Sequence, residues 1–390
     1  KKSQTKMEII CNQNELNNAI QLVSKAVASR PTHPILGNIL LTADQGTNKI
    51  SLTGFDLNLG IQTSFEGTVK NSGAITIPSK LLSEIVNKLP NETPVSLEVD
   101  ESSDNILIKS DRGSFNLKGI PSDDYPNLPF VESGTSLNID PSSFLKALKF
   151  TVFASSNDDS KQLLTGVNFT FKQNYLESAS TDGHRLAVAL IGNEEYLENK
   201  NNLSLLETDL SVTIPTRSLR EIEKLVSLRS SENSIKLFYD KGQVVFISSN
   251  QIITTRTLEG TYPNYSQLIP DTFSKIFNFN TKKLIDALER IAVLADQQSS
   301  VVKIKLDDTD LASISADAQD IGNANESIPV SYSGENFDIA FNVRYLLEGL
   351  KVMSSENVLL KCNLETTPAV FVPEDNLNSF TYLVMPVQVR

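Results

Sequence analysis

Long apolar runs are missing from this chain of 390 residues. No stretch reaches the roughly eighteen consecutive apolar residues that a membrane-spanning helix needs. The basic start KKSQTKMEII leads into no apolar run either, so a soluble, unexported protein is expected. Lys1 to Lys6 precede a strand-like run that opens at Met7 and read as an extension outside the fold. Cysteine is equally scarce. Cys11 and Cys362 stand near opposite ends, too few and too far apart for a disulfide framework, which fits a reducing, cytoplasmic setting. Two histidines and two cysteines without close spacing cannot supply the short-spaced ligand pairs of a zinc site. No metal and no cofactor is expected. Gly and Pro, at 17 and 16 residues, are too few for a fibrous or low-complexity chain. Basic residues are outnumbered, 35 against 47 acidic ones for a net charge of −12. That argues against gripping nucleic acid with the whole surface and leaves room for a local basic face.

Catalytic patterns are missing as well. There is no G-x-S-x-G, no phosphate-binding glycine loop and no dinucleotide fingerprint. Of the two imidazoles, His33 lies between Pro31 and Pro34 in a loop, and no motif singles out a pair of carboxylates. A non-catalytic protein is expected.

What the chain does contain is repetition, and its length suits three domains of ordinary size. The run AITIPSKLLSEIVNKLP (Ala74 to Pro90) recurs 137 residues later as SVTIPTRSLREIEKLVS (Ser211 to Ser227), and a third copy, IAFNVRYLLEGLKVM (Ile339 to Met353), has lost the proline. Each reads as a strand running into a helix, with Pro78 and Pro215 in the first helical turn and an apolar stripe of Leu81, Leu82, Ile85 and Leu89 in the first copy. A second helix also occurs three times, led by Leu16, Phe144 and Leu284 at Asn14 to Val27, Pro141 to Phe153 and Thr281 to Leu294. Short alternating segments between these helices read as hairpin strands. The first two copies close on Tyr-Pro-Asn, at Tyr125 and Tyr262. The fold expected is therefore α+β: three copies of one domain, each with two helices and many antiparallel strands, spanning 7–131, 132–265 and 266–390.

The helices carry Lys and Arg opposite their apolar stripes. Arg217, Arg220 and Lys224 follow i, i+3, i+7; Arg344 and Lys351, and Lys283 and Arg290, follow i, i+7; Lys146 and Lys149 lie three apart; and Lys25, Arg30, Lys80 and Lys88 extend the set. A solvated helix face would look the same in any one helix. The bias recurs in nearly all of them, and Glu84, Glu221, Glu223, Asp286, Glu289 and Glu348 dilute it, so the field suits weak, non-specific attraction to phosphates.

The middle copy carries something extra. In STDGHRLAVAL (Ser180 to Leu190), Asp182 and Gly183 signal a two-residue hairpin turn. The sister segments keep an acidic residue at Asp56 and Asp317 but have no His-Arg. His184 and Arg185 are either a surface pair or a binding element. The terminal run TYLVMPVQVR is apolar almost to its end. Pro386 should end strand pairing and leave Met385 and Val387 exposed, as an adaptable docking surface would have them.

These motifs resemble a known family. RPTHPILGN (Arg30 to Asn38), SLTGFDL, TDGHRLAV, YPNL, YPNYSQLIP, SYSGENFDIAFNV (Ser331 to Val343) and YLVMPVQVR occur, in that order, in the bacterial sliding clamps, the beta subunit of the replicative DNA polymerase. The resemblance implies two three-domain subunits closing head to tail into a homodimeric ring around double-stranded DNA, sheets outside and helices lining the hole. The clamp would tether the polymerase, be opened by a clamp loader and bind other clamp-binding peptides, with no membrane partner. It places the partner-peptide groove on Leu164, Thr181, Gly183, His184, Arg185, Leu186, Pro263, Leu268, Leu383, Met385, Pro386 and Val387. It puts subunit contacts at Phe115, Leu117, Val293 and Leu294. Two features depart from the pattern: the loop Ala154 to Gln162 is acidic where some relatives place DNA-touching aromatic or basic residues, and Arg390 adds a charge at the tail. Competing readings are a scaffold that binds peptides without forming a ring, which would not need basic helix faces, and an enzyme acting through Asp182, His184 and Arg185.

Overall fold

The computed structural model describes residues 5–100, 103–111, 113–131, 134–172, 175–192, 210–227, 235–295, 299–306, 310–318, 321–332, 335–375 and 379–388. Arg390 falls outside them. Six α-helices are found among these residues, two to each repeat: α1 Gln13–Val23 and α2 Ser79–Lys88, α3 Pro141–Thr151 and α4 Thr216–Ser227, α5 Thr281–Ala295 and α6 Val343–Val352. The first helix of each pair starts on an Asx residue. Asn12 Oδ1 accepts from Asn14 N (2.8 Å), Asp140 Oδ2 from Ser143 N (2.7 Å) and Asn280 Oδ1 from Lys283 N (3.1 Å), each satisfying a donor that the helix itself leaves unpaired. Leu16, Phe144 and Leu284 are buried one turn on, which is the periodicity seen in the sequence.

The chain condenses into two compact units, Lys1–Asn138 with Ser231–Thr257, and Ile139–Ser230 with Leu258–Arg390. The second repeat is thus divided between them, because strands pair across repeat boundaries. In the first unit, a five-stranded sheet runs Thr68–Asn71, Thr5–Asn12, Pro94–Asp100, Asn105–Ser110, Gly113–Lys118. An eight-stranded sheet joins Gln251–Arg256 of the second repeat to Leu59–Glu66 of the first, with Ile253 opposite Ile61. In the second unit a twelve-stranded sheet joins Arg185–Gly192 to Phe380–Val384, with Leu186 opposite Leu383. The core of this unit gathers Phe277, Phe279, Leu284, Leu288, Phe341, Leu346, Phe371 and Tyr382, all essentially buried.

Several expectations need correcting. Thr5 and Lys6 belong to the strand Thr5–Asn12, with Thr5 opposite Asp100, so the strand begins before Met7. Pro78 caps α2 from outside, and Pro215 ends the strand Leu210–Pro215. Both therefore stand just ahead of the first helical turn. Leu81 is 48% exposed. α2 buries Leu82 and Val86, Leu89 is buried at its C-cap and Ile85 is half-buried, so of the expected stripe Leu81 alone faces outward. Asp317 lies within the strand Leu311–Ala318, opposite Asn323, and closes no turn.

Candidate functional site

The hairpin of the middle repeat is built by the side chains of Thr181 and Asp182. Strand Tyr175–Thr181 ends and strand Arg185–Gly192 begins around a loop of Asp182, Gly183 and His184, one residue longer than the Asp-Gly signal suggested. The extra residue is absorbed because Asp182 Oδ1 accepts from both His184 N (2.9 Å) and Arg185 N (3.1 Å), an Asx turn. Thr181 Oγ1 accepts from Gly183 N (3.1 Å) and donates to Arg185 O (2.6 Å). Gly183 has φ +95, a left-handed conformation that glycine tolerates without strain. The sister hairpin repeats the device. Asp56 Oδ1 accepts from Asn58 N (3.0 Å) and Leu59 N (2.8 Å). The matching acidic residues of the first two repeats are therefore turn builders, whereas His184 and Arg185 serve another purpose.

Arg185 is buried, 7% exposed, and its guanidinium is spent inside the protein. Nε donates to Asp182 Oδ2 (3.1 Å), Nη2 to the carbonyl of Phe153 (2.8 Å) and Nη1 to Glu348. Its plane lies 4.5 Å from the Tyr345 ring and 5.6 Å from that of Phe153, within cation–π range. It therefore braces the hairpin, the end of α3 and α6. His184 is exposed and stacks on Tyr345, centroids 6.4 Å apart.

The C-terminal strand is fixed to the same helix. Tyr382 is fully buried and its hydroxyl donates to Tyr345 O (2.8 Å). Gly349 makes this possible, since a Cβ there would stand 2.1 Å from the Tyr382 ring. Past Val384, Met385 N donates to His184 O (2.9 Å) and Val387 N to Ala340 O (2.8 Å). Met385 is 39% exposed, whereas Val387 is half-buried and hydrogen-bonded. Pro386 thus interrupts pairing without releasing the chain, because the next N–H finds Ala340 on the strand Phe337–Asn342.

Of the other groove candidates, Leu186 and Leu383 are buried in one cluster with Ala179, Val188, Val370 and Val372, against which Tyr265 and Ile269 pack. Thr181 N donates to the Tyr262 hydroxyl (3.1 Å), which brings the segment containing Pro263 over the hairpin. Pro263 is exposed, as is Leu268 in the short turn Tyr265–Leu268. Leu164 is half-buried and its carbonyl accepts from Ser156 N (2.8 Å). Sequence reasoning missed Lys161, Tyr262, Tyr265, Glu177, Tyr345 and Glu348. Lys161 Nζ donates to Asp182 O (3.3 Å), so the basic residue of the otherwise acidic loop points to the hairpin. The Tyr265 hydroxyl bonds the Glu177 carboxylate. Burial first, then this carboxylate, pushes the phenol well above its ordinary pKa, so it remains a donor. The repeated Tyr-Pro-Asn was the available signal for Tyr262.

The basic helix residues are exposed except Lys146, which is half-buried. Lys224 pairs with Glu221 (3.1 Å), Lys351 with Glu289 (2.7 Å), and Arg290 with Glu326, with Nε 2.9 Å from Oε2. Val293 is 72% exposed on α5, Phe115 is 38% exposed on Gly113–Lys118, and Leu117 and Leu294 are half-buried. No helix among the described residues is long and apolar enough to cross a membrane.

Comparison with known proteins bears on all of this. Three domain models of one family match in order: DNA polymerase III beta subunit, N-terminal domain over residues 7–129, central domain over 138–264 and C-terminal domain over 266–388. Beta sliding clamps of Synechococcus elongatus and Synechocystis sp. are 45% and 41% identical, each over 98% of this chain and 100% of the relative. Among solved structures, the DNA polymerase sliding clamp of Bacillus subtilis superposes with a TM-score of 0.89 at 29% identity, covering 98% of this chain and 100% of that one. The beta sliding clamp of C. crescentus, with PEG bound in the region assigned to beta-motif tethering, gives 0.90 at 26% identity over 98% and 99%.

Proposed function

The chain belongs to the DNA polymerase III beta subunit family, the beta sliding clamps, and from that premise we propose that two copies close head to tail into a ring around duplex DNA and tether the replicative polymerase there. The role is one of processivity, without catalysis. The observation that carries it is the match of three domain models in order along nearly the whole chain, each falling on one helix pair. The domains proposed are 7–131, 132–265 and 266–390. The head-to-tail contact is proposed at Phe115 and Leu117 on one side and Val293 and Leu294 on the other. Phe115 and Leu117 lie on Gly113–Lys118, the last strand of its sheet, whose free edge is a template for pairing with a second chain. A heterologous contact must close or polymerise, and six similar domains can close a circle. The basic residues of the helix pairs, from Lys25 and Arg30 to Arg344 and Lys351, are assigned to the DNA side. Their field is mild, since Lys224, Arg290 and Lys351 already have carboxylate partners, which suits retention by encirclement with free sliding.

The groove is assigned to Leu164, Thr181, Gly183, His184, Leu186, Pro263, Leu268, Leu383, Met385, Pro386 and Val387, with Arg185 as its brace. A short peptide with a Gln followed by apolar and aromatic residues, carried by the polymerase, the clamp loader or other partners, would bind there with roughly micromolar affinity. A replication clamp works in the cytoplasm, and two free, buried cysteines suit that compartment. Solution mass with particle imaging tests the architecture: a ring of two chains is expected, and a monomer or an open filament at micromolar concentration would overturn it.

A further inference from the structure

Each repeat leaves its last strand in the same way. After Gly113–Lys118, Ile120 N donates to Thr76 O (3.1 Å) and Thr76 N donates back to Ile120 O (3.0 Å). After Gln251–Arg256, Leu258 N donates to Thr213 O (2.9 Å), and after Phe380–Val384, Val387 N donates to Ala340 O (2.8 Å). The acceptors stand on Gly73–Pro78, Leu210–Pro215 and Phe337–Asn342, each the terminal strand of its sheet and each leading into the second helix of its repeat. One backbone N–H thus caps an otherwise open edge in all three repeats. The third differs in span. One residue, Gly119 or Thr257, separates strand from cap in the first two, whereas Met385 and Pro386 intervene in the third.

That longer span is pinned at both ends, by Met385 N on His184 O (2.9 Å) and Val387 N on Ala340 O (2.8 Å). Pro386 between them has no N–H to offer, so the segment is a strap held at two points. A cavity of about 340 Å³, lined in part by Lys303, Glu365, Thr366 and Gln388, adjoins the far pin. An unpinned strap would have room to move.

We propose that the backbone N–H of Val387 is a positioning group: it holds Met385 and Pro386 in the one path that receives a partner peptide. The proposal rests on the groove assignment above. Freed from Ala340, the strap would spend only part of its time in that path, and apparent affinity would fall by that fraction.

The test uses the full chain and a fluorescent peptide of one Gln followed by Leu and Phe. Val387→Ala removes the side chain and keeps the N–H; Val387→Pro removes the N–H as well. Val387→Pro should bind about tenfold more weakly than Val387→Ala, as loss of one neutral hydrogen bond allows, with melting lowered by no more than a few degrees. Hydrogen exchange gives a second reading. In the intact chain the Met385 and Val387 amides should both be slowed, and in Val387→Pro the Met385 amide should speed up. Equal affinities for the two variants, or a Val387 amide exchanging at the free-chain rate, would each overturn the assignment. Failure of the intact chain to bind the peptide would instead remove the groove reading, and exchange alone would then decide whether the pin exists.

Discussion

Replacing Arg185 by methionine keeps the aliphatic stem and deletes the guanidinium, which isolates the brace from the packing. The charge-assisted bond to Asp182 (3.1 Å) contributes about 1.5–3 kcal/mol. The Phe153 carbonyl, left without the 2.8 Å donor, costs about 1–3 kcal/mol if it stays dry. Stacking on Tyr345 at 4.5 Å is worth about 1–2 kcal/mol. The pair with Glu348 adds little, because that carboxylate is 47% exposed and rehydrates on release. Against these losses stands relief from burying a charge, which in other proteins offsets much of a buried pair's worth. Asp182 also keeps the two backbone donors at its Oδ1. The net expectation is a loss of about 2–4 kcal/mol of unfolding free energy, since the terms share one side chain and do not add. Urea unfolding followed by circular dichroism reads it. Peptide titration on the folded variant should show at least tenfold weaker binding, because the hairpin and α6 have lost their common support. Arg185→Lys, which keeps the charge without the fork, should fall between. Native-like unfolding together with abolished peptide binding would refute the reasoning, since Arg185 would then touch the ligand directly.

Val293→Asp replaces a side chain that is 72% exposed, so the folded chain should lose little stability while the proposed contact acquires a buried charge; sedimentation should show monomers, and a nanomolar dimer would exclude this interface. Changing Arg217, Arg220 and Lys224 to Glu should weaken loading or sliding on DNA with the dimer intact, and unchanged loading would return these residues to an ordinary solvated face. Burial pushes the Cys11 and Cys362 thiols up to about 12. On the order of one part in ten thousand is then thiolate at pH 8, so a thiol reagent should leave both unmodified until denaturant is added. Rapid modification of the native protein would contradict that burial.

Much of the fold was legible because it depends on local pattern. The leading apolar residues Leu16, Phe144 and Leu284 lie within single helices, and the three copies reinforce one another. Pairing across repeats was not legible. That Gln251 lies opposite Thr63 depends on which of several similar strand edges meet, and alternation within a strand does not encode its neighbour. The hairpin loop shows an intermediate case: Asp-Gly marked the place, but its length was set by how many backbone donors the Asp182 carboxylate could gather. In the site, His184, Arg185 and Met385 to Val387 were visible as residues without a structural reason. The role of Arg185 was not, because its partner Glu348 stands on α6, far along the chain, and only the folded geometry joins them. Tyr262 and Tyr265 were hidden for the same reason.

Retention on circular DNA addresses encirclement most directly. The protein, loaded on a closed circular duplex and then washed in moderate salt, should remain bound until a restriction enzyme linearises the circle, and should then slide off. Free protein should bind linear duplex weakly, with a shallow dependence on salt. Equal retention on cut and uncut circles would show that affinity holds the protein and would contradict the ring.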